Sequence, residues 1–318
     1  MKTTLFETKC HVLTTALVAT TLLGVTAACG PVEEGPLPPP LTRREQAVES
    51  DNGLSFNGLS FNGLSFNGLS FNGLSFNGLS TSAFNTWFQS NPALASEVMR
   101  YVVRCAVPAG QTRAYTAPST GKQYTWSGGL GLAPSWASGA AATVEEEQVV
   151  SACLAAHANR LGETVSISVL GRDAAGSPIP YTSQELSEHS RREACFFGNL
   201  FNGEGLFVGA EREPMGPSES SSRACAGLFY NGSETTAPCA PMVYVGACTS
   251  VCTLDPAQPH YFQSCRPDGV TYHRPITTRL RVEDIHKCGD TTCQSSERCG
   301  TSYQYDDCGL DCGACPSR

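Results

Sequence analysis

The chain has 318 residues, in which 21 lysines and arginines face 29 aspartates and glutamates, giving a formal net charge of -8 at pH 7. A phosphate backbone is held by a basic field, so this balance excludes nucleic acid as the expected partner. After the first nine residues the only lysines are Lys122 and Lys287, which excludes a polybasic membrane-surface patch as well.

The first 29 residues have the features of an export signal. Two early lysines precede a run from Val12 to Ala28 that is apolar apart from threonines and ends on small residues. This run is too short for a transmembrane helix, so we expect it to be cleaved. The stretch LGVTAAC resembles a bacterial lipobox, with Thr26 where that motif usually carries Leu, Val or Ile. The resemblance implies lipidation at Cys29 and a membrane anchor there; release after ordinary cleavage is the alternative.

Composition divides the rest of the chain into segments. A stretch rich in proline and charge cannot bury a core and is expected to be an extended linker. Six NGLS units separated by single phenylalanines follow it. The predicted segments are a signal peptide with a lipobox at 1–29, a Pro-rich linker at 30–51, an NGLSF pentapeptide repeat at 52–80, a disulfide-bonded α+β domain at 81–286 and a cysteine-rich module at 287–318.

The repeat carries no charge and no catalytic group. Asn-Gly favours tight turns, but two residues in five are large and apolar, which is unusual in a solvated linker. Three structures remain open: a flexible tether, a strand docked on its own domain or on a neighbour, and a pentapeptide solenoid. The solenoid fits least well, because Leu59 takes a position that suits a small residue.

The domain is expected to be a small α+β fold with two main helices and short antiparallel strands. Asn91 and the proline after it form an N-cap and first-turn pair, and apolar spacing predicts a helix from Ala93 to Val107. Thr143 and the glutamate three residues on form a capping box. The second helix is expected to run to Leu161, with Gly162 as its stop.

Alternation and turn signals predict the strands. A hairpin is expected from 112–117 and 123–126, and TVSISVL at 164–170 alternates as a half-buried strand. The expected short elements beyond Gly171 are a helix within 183–194, strands at GLFVGA and MVYVGA, and a turn at 266–269.

Cysteine usage agrees with export. Fourteen cysteines follow the leader, and an even, dense set in an exported chain indicates disulfides. Cys105 and Cys153 lie on the inner faces of the two predicted helices, so we predict a bridge between them, which requires Cα atoms within about 7 Å. The cysteine-rich module at 287–318 is too short and too polar to form a hydrophobic core, so three disulfides are needed to hold it. Its six cysteines can pair in fifteen ways, and the sequence does not choose among them. The disulfide candidates are Cys105, Cys153, Cys195, Cys225, Cys239, Cys248, Cys252, Cys265, Cys288, Cys293, Cys299, Cys308, Cys312 and Cys315.

No catalytic residue, cofactor or metal ligand is assigned from the sequence. The chain has neither a G-x-S-x-G elbow nor an H-E-x-x-H helix. Cys195 could act as a nucleophile with His157 or His189 as base, but pairing in a disulfide explains this cysteine more simply. Acidic side chains would cleave glycosides only if the fold brings a pair together; the candidates are Glu145, Glu146 and Glu185.

The tail offers two weaker binding hypotheses. Its carboxylates are oxygen ligands on a disulfide frame and could form a weak calcium site, with solvated loop carboxylates as the alternative; they are Asp290, Glu297, Asp306, Asp307 and Asp311. The segment CGTSYQYDDCG resembles in part the small chitin-binding modules of the hevein type, although their adjacent cysteines are absent here. That resemblance implies that sugar rings stack on Tyr303 and Tyr305. The alternative is that these two rings pack inside the cysteine-rich module.

Taken whole, the chain resembles a set of uncharacterised exported proteins of myxobacteria. The matching phrases are the reiterated NGLSF, VVRCAVPAGQ, GGLGLAPSW, VVSACLAAHANRLG and CFFGNLF, which lie within the first 210 residues or so. A cysteine-rich ending is shared as well. The resemblance implies a bacterial surface location and supplies no activity.

These features predict a surface-exposed or secreted lipoprotein, at the outer membrane or the cell surface. We expect a binding or envelope-structural module, with a membrane anchored through Cys29 and a glycan or an envelope protein as partners. The alternative is an exported hydrolase that acts on polysaccharide or peptide through residues distant in sequence.

Overall fold

A computed structural model of the chain describes residues 49–52, 54–55, 82–159, 164–211, 218–221, 223, 229–230, 233–234, 242–298 and 308–314. The structural statements below concern these residues. The leader, most of the linker and all repeat units after the first lie outside them. So do several nominated residues: Cys29, Cys225, Cys239, Cys299, Tyr303, Tyr305, Asp306, Asp307 and Cys315.

The described residues form both helices and strands, which confirms the mixed α and β character of the fold. The α-helices are α1 (Ser82–Ser90), α2 (Pro92–Ala106), α3 (Pro134–Ala137), α4 (Val144–Ala156), α5 (Ser183–Glu188), α6 (Cys248–Val251) and α7 (Gly309–Cys312). The strands are β1 (Glu49–Asn52), β2 (Leu54–Ser55), β3 (Thr112–Thr116), β4 (Gln123–Ser127), β5 (Ala158–Asn159), β6 (Val165–Leu170), β7 (Arg191–Asn199), β8 (Gly205–Ala210), β9 (Glu219–Ser220), β10 (Phe229–Tyr230), β11 (Ser233–Glu234), β12 (Met242–Ala247), β13 (Cys252–Leu254), β14 (Phe262–Cys265), β15 (Ile276–Leu280) and β16 (His286–Lys287).

A six-stranded sheet of order β1-β6-β15-β7-β8-β12 organises the domain. Its neighbours pair antiparallel except β8 and β12, which run parallel. The sheet is therefore mixed, which differs from the expected antiparallel strands. A parallel pair needs a crossover connection between its strands.

The helices begin where their capping residues predict. The Asn91 side chain accepts a hydrogen bond from the N–H of Leu94 at the start of α2. At α4, Thr143 and Glu146 form the complete capping box. The prediction that this helix reaches Leu161 is wrong, because the chain leaves the helix after Ala156 and continues as β5, which pairs with β2.

The inner face of the sheet packs against α4, which packs in turn against α2. Strand β6 contributes the predicted face of Val165, Ile167 and Val169 to this core. The expectation that this strand is half-buried is wrong, since all six of its residues are buried. On the other side of β6 the Ser166 hydroxyl contacts His189, which follows α5.

Helix α1 and the predicted hairpin of β3 and β4 close the core with aromatic rings. Phe88 lies 4.6 Å from Tyr115 and 4.7 Å from Tyr124, measured between ring centroids. The Trp126 indole N–H donates to Ser96 on α2. These rings therefore pack into the core.

The outer face of the sheet carries a second apolar cluster, which is centred on disulfides. Its members are Cys195, Phe197, Phe207, Cys248, Phe262, Cys265 and Tyr272. Gly209 lies beneath one bridge, and a Cβ there would be 2.9 Å from Cys195 Sγ. A glycine is required at this point because the disulfide crosses directly over the strand. The phrase CFFGNLF, which contains Cys195, is mainly the end of β7 rather than a turn.

The disulfides indicate that the protein occupies an oxidising environment. The predicted bridge between Cys105 and Cys153 is present, with Cα atoms 6.1 Å apart. The other described bridges are Cys195–Cys248, Cys252–Cys265, Cys288–Cys308 and Cys293–Cys312. Among the described helices, none combines the length and apolar character needed to cross a membrane.

Candidate binding site

Polar side chains gather on the outer face at one end of the sheet, where β7 begins and β8 and β15 end. We call Arg192, Glu211, His260 and Arg279 the sheet-end cluster. Arg192 and Arg279 are directly opposite each other across β7 and β15. The backbone N–H of Glu211 donates to the carbonyl of Glu193, which continues the pairing of β8 with β7. Three neighbouring strands therefore deliver two arginines and a carboxylate to one place.

Arg192 and Glu211 form an ion pair with unequal exposure. Arg192 Nη1 lies 2.7 Å from Glu211 Oε1, and the arginine side chain is 43% exposed against 3% for the glutamate. Burial raises the pKa of Glu211, while Arg192 and Arg279 oppose this rise. The second oxygen, Oε2, is buried and has no hydrogen-bond partner within the described chain. This carboxylate therefore keeps an unused acceptor oxygen, which carries a free-energy cost when it is buried.

Arg279 is held rigidly by backbone carbonyls. Its Nε donates to the carbonyl of His189 at 2.9 Å, and its Nη2 donates to that of Ser190 at 3.2 Å. Burial and then the charge of Arg192 lower its pKa, against the effect of Glu211. A guanidinium stays charged in proteins despite such a shift. The bonds leave Nη1 for another acceptor.

His260 completes the cluster from the loop before β14. Burial lowers its pKa, and Arg279 and Arg192 lower it further. Its ring stands edge-on to Tyr181, with centroids 5.7 Å apart. The imidazole is therefore neutral at pH 7 and has one donor and one acceptor nitrogen. With His260 neutral, two guanidinium groups face one carboxylate and the cluster carries a net positive charge.

The cysteine and one histidine that the sequence nominated for catalysis are used in the core. Cys195 is bonded to Cys248, so it carries no thiol nucleophile. His157 is fully buried and its ring nitrogen lies 2.8 Å from the Cys153 carbonyl. Burial lowers the pKa of His157 to about 3. Its neighbours Cys105 and Cys153 share a disulfide and offer no thiolate to a metal.

The nominated carboxylates are not brought together as a pair. Glu146 is buried, and its carboxylate accepts hydrogen bonds from the N–H groups of Thr143 and Ser135. Glu145 on the same helix is exposed. Glu185 lies on α5, at a different position in the fold. The glycoside-cleaving arrangement is thus not assembled from these three residues.

The described tail carboxylates bind loop backbone. Asp311 accepts from the N–H groups of Gly289 and Thr291, while Asp290 accepts from Thr292 and from the Gln294 amide. Such contacts fix the loop between the two bridges. The calcium hypothesis stays a prediction, and its best-described carboxylates already have protein partners.

One contact on the outer face was not expected from the sequence. Ser166 Oγ lies 3.1 Å from His189 Nε2, and His189 Nδ1 lies 3.3 Å from the carbonyl oxygen of Glu185. A tautomer with its proton on Nδ1 donates to that carbonyl and accepts from the serine hydroxyl through Nε2. This is the hydrogen-bonding arrangement of a nucleophile and its base.

Neither site was predicted from the sequence. Arg192 lies inside the segment expected to contain a short helix, and Arg279 follows two threonines in a strand that was not predicted. The β-branched residues Ile276, Thr277 and Thr278 are a signal for that strand. No family model, no curated protein and no solved structure matches this chain.

Proposed function

We propose that the protein is an exported binding module, attached to the outer membrane or cell surface through a lipid on Cys29, whose sheet-end cluster binds an acidic polysaccharide. The observation that carries this proposal is that Arg192 and Arg279 lie directly opposite each other across β7 and β15 and have guanidinium nitrogens that the described chain does not use. The buried Glu211 carboxylate holds Arg192 in this position.

The cluster is complementary to a sugar that bears a carboxylate. Within the described residues, Arg192 uses only Nη1 and Arg279 only Nε and Nη2 for protein contacts. The remaining guanidinium nitrogens can donate to a carboxylate, for which arginine is well shaped. The net positive charge favours an acidic ligand over a neutral one.

A polysaccharide retention experiment tests this function. The mature chain is passed over immobilised polygalacturonate and over the same polymer after its carboxylates have been reduced to alcohols. We expect retention on the acidic polymer and at least tenfold weaker retention on the reduced one. Equal retention on both, or none on either, would contradict the proposal.

A hydrolase is the second candidate, supported by the contact between Ser166 Oγ and His189 Nε2. Under this alternative His189 would take the serine proton as the hydroxyl attacks an ester or amide. A fluorophosphonate probe distinguishes the two functions. Labelling of the folded mature chain that disappears in Ser166→Ala would favour the hydrolase, and an unlabelled chain would remove it.

A further inference from the structure

The start of the NGLSF repeat lies on the domain as edge strands. In β1 the residues Ser50 and Asn52 pair with Ile167 and Val165 of β6 in antiparallel register. In β2 the residue Leu54 pairs with Ala158 of β5 in parallel register. The first repeat unit therefore occupies one edge of the domain through main-chain pairing.

The residue types of the repeat recur at intervals of five, so more than one unit can pair with this edge. If the chain moved along the edge by one unit, Asn57, Leu59 and Ser60 would replace Asn52, Leu54 and Ser55. Register is normally specified because a slip places a different side chain at each position of the strand. A slip of five residues here returns the same residue types to four of the six paired positions, those of Ser50, Asn52, Leu54 and Ser55. Only Glu49 and Asp51 of the linker would be lost from the paired segment.

We infer that the edge formed by β5 and β6 accepts any NGLS unit, including a unit from a second copy of this chain. Strand addition draws its affinity from main-chain hydrogen bonds, which every unit can make. Each copy has six units and one such edge. When two copies exchange units, every edge stays occupied and few contacts are lost, as in domain swapping. Protein concentration then decides between the closed and the exchanged forms.

Sedimentation velocity of the mature full-length chain tests this inference. Between about 1 and 100 μM we expect the fraction of dimer and larger species to rise. An excess of a synthetic peptide with three NGLSF units should return the protein to monomer, because the peptide takes the edges. A scrambled peptide of the same composition is the matched control and should have no effect. A monomer at every concentration, or dissociation by both peptides equally, would overturn the inference.

Unit replacements test the interchange separately. When only 52–56 is replaced with a Gly/Ser segment of equal length, a later unit can take its place on the edge, so the melting temperature should change by less than about 1 °C. Replacing 52–80 with a Gly/Ser segment of equal length should lower it by several degrees. If replacing the first unit alone destabilises as much as the full replacement, the edge is specific for the first unit and the inference fails. If neither change has an effect, the repeat is a tether and the inference also fails.

Discussion

Arg192 Nη1 and Glu211 Oε1 lie 2.7 Å apart, yet the arginine side chain is 43% exposed and that of the glutamate only 3%. An exposed salt bridge contributes little to stability because water competes for both charges. This pair differs because its carboxylate is withdrawn from water and keeps one oxygen without a partner in the described residues. The buried carboxylate therefore fixes the position of Arg192, whose remaining guanidinium nitrogens are left for a ligand.

Replacing Glu146 by alanine should lower the free energy of unfolding by about 2 kcal/mol or more. The Glu146 carboxylate binds backbone N–H groups at the start of α4 and in α3, and it is buried. Glu145→Ala is the matched control on the exposed side of the same turn and should cost less than about 0.5 kcal/mol. Urea denaturation of both variants measures the difference. Equal effects would show that the buried cap is not the stabilising element.

The buried pair of Glu193 and Arg223 should show strong coupling. Both side chains are fully buried, and Arg223 Nε lies 2.8 Å from Glu193 Oε1. Glu193 also accepts from the hydroxyl of Thr278. Removing one partner leaves an uncompensated buried charge, so Glu193→Leu and Arg223→Met should each cost about 3–5 kcal/mol. The double variant should cost much less than the sum of the two in a double-mutant cycle, and simple additivity would contradict the assignment.

Acid should destabilise the protein through His157. Its pKa is about 3 in the folded chain against an ordinary value of 6.5, so the unfolded state binds a proton first as pH falls. Its contribution to stability is complete above pH 6.5 and is lost between pH 6.5 and about 3. The slope in this window should reach about 1.4 kcal/mol per pH unit.

The His157→Asn variant should lose that part of the acid dependence, because asparagine does not titrate while its amide can still donate to the Cys153 carbonyl. His273→Asn, at an exposed position, is the control and should leave the dependence unchanged. Urea denaturation at several pH values from 7 to 4 makes the comparison. A similar pH slope in the wild type and in His157→Asn would refute this role.

The bridge that spans the longer loop should stabilise more. Cys105 and Cys153 are 48 residues apart, whereas Cys252 and Cys265 are 13 apart. Loop-closure entropy gives about 4 kcal/mol for the first bridge and about 3 kcal/mol for the second. Thermal unfolding of the two double-alanine variants should therefore rank the Cys105 pair as the more destabilised. The opposite ranking would show that contacts in the folded state outweigh chain entropy.

Helix starts could be predicted because their caps lie within one turn of the chain. Strands that depend on partners far away in the sequence could not. Asn91 and Thr143 identify the helix starts because a cap is a local hydrogen bond. The segment SQELSEHSRREA has helix-forming residues throughout, but the helix ends at Glu188 and β7 begins at Arg191. Pairing with β8 and β15 overrides the local propensity there.

The Cys105–Cys153 bridge was predictable because two amphipathic helices must turn their inner faces toward each other. No sequence pattern predicts that Arg192, Glu211 and Arg279 lie close together, because they belong to three different strands or strand ends. Only the strand order β15-β7-β8 brings them together.

Calorimetric titration of galacturonic acid trisaccharide into the mature chain tests the binding role of the sheet-end cluster most directly. Arg192→Gln removes an exposed guanidinium from the cluster, and Arg100→Gln removes one from a surface ion pair on α2. We expect the wild type and Arg100→Gln to bind with the same affinity and Arg192→Gln, at a temperature where it is folded, to bind at least tenfold more weakly. Absence of binding to the wild type, or equal affinity in all three proteins, would contradict the account.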